Sequence, residues 1–253
     1  MEINIETDQA SRENRAAVKA ITFAALLWIP VLIFAPTLLF LLAVLFLYRE
    51  IVSLSAKIFQ KELDHVVSGL DNTFSADDFW TNPKGANSFI LFTKDEIDFQ
   101  LVQRRFTNVL ESHPSGYQKL MTLYPTVYKG YSFWKYCDAP FNIENHFVLK
   151  LFEKHEVITE RVFNAFICDW TKSRFRFSCP LWEILIIPSL QMAVKENKVI
   201  NQGVLCFKSH HMLGDGYSKL KLLEKVFDLS EILEHGTVSN EYSVQVGTFM
   251  QNI

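Results

Sequence analysis

Seven consecutive residues, His210-His211-Met212-Leu213-Gly214-Asp215-Gly216, hold two of the seven histidines and two of the nine glycines of the chain. A histidine titrates near neutral pH, so it can take a proton from a hydroxyl or return one, provided a neighbour fixes its ring. Adjacent residues at the end of a strand point to opposite faces. His210 and His211 therefore cannot both face one cavity: one faces the site and the other braces it. The same geometry argues against a metal site, which would want the pair at i, i+2 on a strand or i, i+4 on a helix. Asp215 lies in the same turn, and Gly214 and Gly216 let the backbone bend sharply. Spacing leaves open whether Asp215 contacts His211 or pairs with a distant arginine. The ordinary alternative is a polar surface turn, since turns attract Gly and Asp.

The elements on either side position these residues. Gly203 to Ser209 reads as a strand rich in apolar residues, running straight into the histidines. After the turn, Leu220, Leu223, Val226 and Phe227 mark one face of a helix, with Lys219, Lys221, Glu224 and Lys225 read onto the other. The polar cluster thus sits at a strand-to-helix turn. Upstream, the pattern gives a loop at Asn82-Pro83-Lys84-Gly85 and a strand over Ser88 to Thr93. A helix over Asp98 to Ser112 follows, broken at Pro114. Strand signals return at Thr126 to Tyr136 and His146 to Phe152, then a helix at Thr159 to Ser173 and a buried strand at Trp182 to Ile187. Strands and helices mix without regular alternation, which predicts an α+β fold rather than a doubly wound parallel sheet.

The chain is 49% hydrophobic and 21% charged, with 28 acidic against 25 basic residues. That excludes disorder and gives no support for nucleic-acid binding. Much of the apolar excess is local: 29 residues from Ala20 to Tyr48 carry no charge. A spanning helix needs only about 20, and Pro30 and Pro36 lie near the middle. The segment reads as one tilted, kinked helix or as a hairpin that enters and leaves one leaflet. Arg12, Arg15 and Lys19 before it balance Arg49, Lys57 and Lys61 after it, so the flanks do not set topology. A polar tail over 1–19, a membrane segment over 20–48 and an amphipathic connector helix over 49–72 precede a globular region over 73–253. The cysteines Cys137, Cys168, Cys179 and Cys206 form no Cys-x-x-Cys pair, and no glycosylation sequon occurs. A reducing, cytosol-facing environment fits, and no zinc site is expected.

His210-His211-x-x-x-Asp215-Gly216 resembles the signature of the acyl-CoA-dependent acyltransferase superfamily, which includes chloramphenicol acetyltransferase and peptide-synthetase condensation domains. The context is most similar to its wax ester synthase and diacylglycerol acyltransferase family. Pro180-Leu181-Trp182-Glu183 opens a strand ahead of the motif, and Phe141-Asn142-Ile143-Glu144-Asn145-His146 stands where that family has Phe-Asp-acidic-x-x-His. The resemblance implies a chloramphenicol acetyltransferase-like fold, a mixed β-sheet with flanking helices. It implies His211 as the general base that deprotonates an acceptor hydroxyl, with His210 beside it. Asp215 is implied to hold the loop, and Gly216 to keep a channel open. Pro180, Leu181 and Trp182 form a structural motif, in which Trp182 reads as a core aromatic. No Gly-x-Ser-x-Gly elbow is present to host an acyl-enzyme, so direct transfer is expected.

Family members are about twice as long as the globular region, so the resemblance covers the N-terminal half of that fold. The implied activity is a membrane-bound O-acyltransferase at the endoplasmic reticulum or a lipid droplet, its globular part facing the cytosol. It would join an acyl group from acyl-CoA to a long-chain alcohol or diacylglycerol, giving wax ester or triacylglycerol. Acyl-CoA is a co-substrate and no cofactor is implied. The implied partners are the bilayer, the two substrates and a longer homologue or second copy that completes the site. The alternative is a truncated, non-catalytic isoform that binds acyl lipid or a full-length partner.

Overall fold

The computed structural model describes residues 3–67, 69–153, 156–193, 199–227 and 242–245, in two compact units divided after Phe59. The first unit is a single helix, α1 (Ile3–Phe59). It passes through Pro30 and Pro36 without a break, so the structure has the unbroken helix and not the hairpin. Residues 3–19, expected as a polar tail, belong to it. Its stretch Val18–Phe59 is the one helix among the described residues long and apolar enough to cross a membrane.

The connector helix expected over 49–72 ends at Phe59. Beyond it come a short strand, β1 (Leu63–Val66), and a 3-10 turn (Gly69–Phe74). Ile51, Leu54, Ile58, Val66 and Leu70 recur near helical spacing, but Val66 lies in β1 and Leu70 in the 3-10 turn, and between them Val67 is buried in a cluster with Phe79, Leu123, Trp134, Leu181 and Met212. The expected end of the globular region, at residue 253, lies outside the described residues.

The second unit is α+β, with a mixed sheet and flanking helices. Its remaining elements are β2 (Ala86–Thr93), α2 (Phe99–Ser112), α3 (Gln118–Met121), β3 (Leu123–Tyr128), β4 (Tyr131–Tyr136), β5 (Phe147–Leu149), β6 (Val157–Thr159), α4 (Glu160–Lys172), β7 (Trp182–Ala193), β8 (Val199–His210), α5 (Gly216–Phe227) and β9 (Tyr242–Gln245). The larger sheet runs β5-β7-β8-β2-β9, with β6 also on β7. β5 and β6 pair parallel with β7, and the other neighbours are antiparallel. The smaller sheet is β1-β4-β3.

The single strand expected over Thr126 to Tyr136 is instead the hairpin β3-β4. Tyr128 pairs with Tyr131 across a two-residue loop, Lys129-Gly130, in which both residues have positive φ (48° and 82°). That is the turn chemistry whose twist matches an antiparallel pair.

Alternation sorts the larger sheet's side chains into two layers. Phe89, Leu91, Trp182, Ile184, Ile186, Leu205 and Phe207 pack under α2 and α5. Ile90, Phe92, Leu185, Ile187, Val204 and Cys206 pack on α4. α2 and α4 each start on a side-chain cap: Asp98 accepts from the Gln100 and Leu101 N–H groups, and Thr159 from that of Val162. β8 is covered on both faces, and residues 203–210 are all buried. Its C-terminal end carries the histidines.

Candidate active site

The end of β8 is held on both sides. The His210 N–H donates to the Leu181 carbonyl and the His211 N–H to the Gly85 carbonyl, each at 3.0 Å. Leu181, itself fully buried beside Met212, is how the Pro180-Leu181-Trp182 stretch bears on the turn. A 3-10 turn (His211–Leu213) and Gly214, at φ 147°, then reverse the chain into α5.

His210 has no exposed side-chain surface. Its Nδ1 accepts from the Met212 N–H at 3.2 Å, so the ring proton is on Nε2, which donates to Asp77 Oδ2 at 2.9 Å. Burial pushes its pKa down to about 4, the Asp77 carboxylate opposing this only in part. His210 is therefore neutral, with both nitrogens committed. Burial works to raise the Asp77 carboxyl, but the Gly85 N–H at 2.6 Å and His210 outweigh it and hold it below the ordinary range. A Cβ at Gly85 would stand 2.5 Å from His210 Nε2. The glycine lets the 85–86 backbone close over the ring.

His211 is half-buried and stacks on Phe74, ring centroids 4.7 Å apart and 14° from parallel. Its Nε2 lies 3.4 Å from Asn87 Nδ2. Asn87 is buried, and its Oδ1 accepts from Ser209 Oγ at 3.2 Å and from Lys219 Nζ at 3.1 Å. Two donors on the oxygen fix the carboxamide, so its N–H side faces His211. Nε2 is then the acceptor and carries the lone pair. Burial first, and the charge of Lys219 second, hold the His211 pKa below its ordinary value. The result is a neutral imidazole, partly open, with an unprotonated nitrogen in a long, easily replaced contact. Such a group can take a proton from a hydroxyl, and the nearby cation favours handing it on.

Among the described residues Asp215 contacts neither His211 nor an arginine. It is exposed, and its Oδ1 accepts from the Ser218 N–H at 2.8 Å, capping the first turn of α5. The Ser218 hydroxyl and N–H hold its carboxyl below the ordinary range. Gly216 opens that helix, and a Cβ there would meet only Phe89 Cζ at an ordinary 3.9 Å.

The other stretch quoted from the sequence sits elsewhere. His146, fully inside, donates from Nδ1 to the Trp182 carbonyl at 2.8 Å and stacks on the Trp182 ring at 4.3 Å. Burial pushes its pKa down to about 4. The Trp182 indole N–H donates to the Leu120 carbonyl at 2.7 Å, and the ring is a core aromatic. Burial also pushes the Cys206 thiol up to about 12 and that of Cys137 up to about 11, so neither is a thiolate nucleophile at neutral pH. Among the described residues no cluster could hold a metal ion.

Lys219 corrects the reading of α5. It is 5% exposed, not on the solvent face. The buried stripe is Lys219, Leu222, Leu223 and Val226, at i, i+3, i+4 and i+7. That spacing is present in the sequence and would have placed the lysine inwards. Asp77, Asn87 and Phe74 carry no comparable signal.

No family model matches the chain, and no curated protein matches it. Among solved structures it is similar to the starter condensation domain of rhizomide synthetase RzmA, at 12% identity and a TM-score of 0.43, over 62% of this chain and 32% of that one. It is similar to the wax ester synthase/diacylglycerol acyltransferase from Marinobacter aquaeolei VT8, at 16% identity and a TM-score of 0.40, over 62% and 35%. It is also similar to the first condensation domain of the calcium-dependent antibiotic synthetase, at 14% identity and a TM-score of 0.42, over 61% and 34%. The chain thus spans about a third of the length of each. At such scores these likenesses assign no residue a role.

Proposed function

We propose that the second unit carries the proton-transfer part of an acyl-transfer site, with His211 as general base. The observation that carries this is the pairing of a half-buried, neutral His211, its Nε2 lone pair set by the Asn87 carboxamide, with a His210 whose nitrogens are both engaged. His211 Nε2 removes the proton from an acceptor hydroxyl as that oxygen attacks the thioester carbonyl of acyl-CoA. The C–S bond breaks, and the proton passes from His211 to the departing thiolate, leaving ester and free CoA. The raised thiol pKa values of Cys206 and Cys137 agree with direct transfer rather than an acyl-cysteine.

The acceptor class follows the motif's resemblance: a long-chain alcohol or diacylglycerol, giving wax ester or triacylglycerol. In this reading the Val18–Phe59 stretch anchors the chain in the endoplasmic reticulum or a lipid-droplet surface, with the second unit in the cytosol. A longer homologue or second copy completes the cleft. The test is expression in cells that lack neutral-lipid synthesis, fed a long-chain alcohol or a diacylglycerol, with the esters identified. Ester that disappears in His211→Ala at unchanged protein level supports the reading, and ester that persists in that variant overturns it.

A further inference from the structure

A cavity of about 280 Å³ lies where α3 and the residues before it, β3, β8 and the first turns of α5 meet. Leu120, Leu123, Phe207, Leu213 and Leu222 give it an apolar wall, and no Asp or Glu lines it. Three basic residues do. Lys119 is paired with Asp71 at 2.6 Å, and His65 with Asp64 at 2.6 Å. Lys219 has no carboxylate within ion-pairing distance among the described residues, although it is the most deeply buried of the three. Its ammonium donates to Asn87 Oδ1 and to the His210 carbonyl at 3.2 Å, which leaves one of its three N–H groups without a protein acceptor in these contacts.

Taking a cation out of water is costly unless an anion accompanies it. Here the groups that the ammonium touches are neutral acceptors, the exposed Asp215 carboxylate acting on it only from beyond ion-pairing distance, and the lysine stands on the wall of a cavity with one apolar side. We propose that this cavity binds an apolar monocarboxylate, its carboxylate on Lys219 and its chain against Leu120, Phe207 and Leu222. At roughly 30 Å³ per water-sized group, the cavity holds an acid about the size of hexanoate. Burial pushes the pKa of Lys219 down to about 7, the distant Asp215 carboxylate opposing this only in part, which agrees with a cation that lacks a paired anion. His211 does not line the cavity, although Lys219 also bonds the Asn87 carboxamide that faces His211.

The test is calorimetric titration of the full chain in lipid nanodiscs with hexanoate and with 1-hexanol, empty nanodiscs serving as the blank. Hexanoate should bind roughly 10- to 100-fold more tightly than hexanol, the range of a hydrogen bond to a charged group. Lys219→Met should bring the two ligands to equal affinity. Titration in two buffers of different ionisation enthalpy should show about half a proton taken up per hexanoate at pH 7, and none with hexanol. Leu222→Trp, which fills the cavity with the lysine in place, should abolish binding of both. His211→Ala should retain the hexanoate preference even if the acyl-transfer reading fails. Equal affinity of the wild type for the two ligands, or a carboxylate preference that survives Lys219→Met, overturns the proposal.

Discussion

His210 and His211 are one peptide apart and end up in opposite chemical situations. The pleat turns His210 into the interior, where Asp77 accepts the N–H of one nitrogen and the Met212 N–H occupies the other. Nothing of that ring remains to react, and it ties the 77–85 segment to the end of β8. His211 follows it out of the strand, keeps one face on Phe74 and meets Asn87 through a contact of 3.4 Å. A ring with two short, buried hydrogen bonds is a brace. One with a fixed tautomer and a replaceable contact is a tool. The difference comes from what surrounds each ring, and it can be broken from either side.

The largest effect is expected on the reactive side. His211→Ala should lower acyl transfer by about 10²- to 10⁴-fold, the span of general-base catalysis, with the thermal unfolding midpoint unchanged. An equal loss of rate and stability in His211→Ala would show both histidines to be braces.

Acid should act on the bracing side. The His210 pKa lies at about 4 in the folded chain against an ordinary 6.5, and His146 is displaced in the same way. Depressed histidines leave the unfolded chain binding more protons between those values, so stability present at pH 7 is lost as pH falls from about 6.5 towards 4. At 1.36 kcal/mol per pKa unit, the share of His210 is about 3 kcal/mol. His210→Asn should be less stable at pH 7, and its unfolding midpoint should fall about half as steeply with acid. An undiminished acid slope in that variant would show that His210 is not held neutral.

A smaller effect belongs to Lys219. Its charge helps hold the His211 pKa below the ordinary value, after burial. His211 must be unprotonated to act, so the acid limb of kcat/KM should fall below pH 6.5. In Lys219→Met the limb should move up towards 6.5, so the variant loses more rate at pH 6 than at pH 8. A uniform loss at both pH values would mean that the lysine only holds Asn87 in place.

The same contrast shows what the sequence makes legible. The strand into the histidines, the helix after them and their opposite orientation follow from local periodicity, and all three are present. Trp182 reads as a core aromatic opening a buried apolar strand, and it packs in the core. The β3-β4 hairpin was less plain, because Lys129-Gly130 interrupts an otherwise continuous strand pattern with only one glycine. The connector helix over 49–72 rests on a helical spacing that Val66 in β1 and Leu70 in the 3-10 turn share by coincidence. Lys219 is legible in its i, i+3, i+4, i+7 stripe with Leu222, Leu223 and Val226, which the reading of a polar lysine face passes over. Asp77 and Asn87 are of another kind. They sit more than 120 residues from the histidines that they touch. Only the pairing of β2 with β8 and the fold of 69–85 bring them together, and neither leaves a local mark.

The smallest effect concerns Asp215, the residue that the motif ties most closely to His211. In the structure its oxygen caps α5 through the Ser218 N–H, three residues on, and does not reach either histidine. A cap requires an acceptor at that point and not a charge, so Asn should serve as well as Asp. Asp215→Asn should therefore leave both the unfolding midpoint and ester formation near wild type. Asp215→Ala should lower the midpoint by about 3 °C, with a loss of rate no greater than the fraction unfolded explains. If Asp215→Asn instead falls as far as Asp215→Ala in rate at an unchanged midpoint, the carboxylate acts on the reaction itself. The division between bracing and reactive groups would then have to be drawn one turn further into α5.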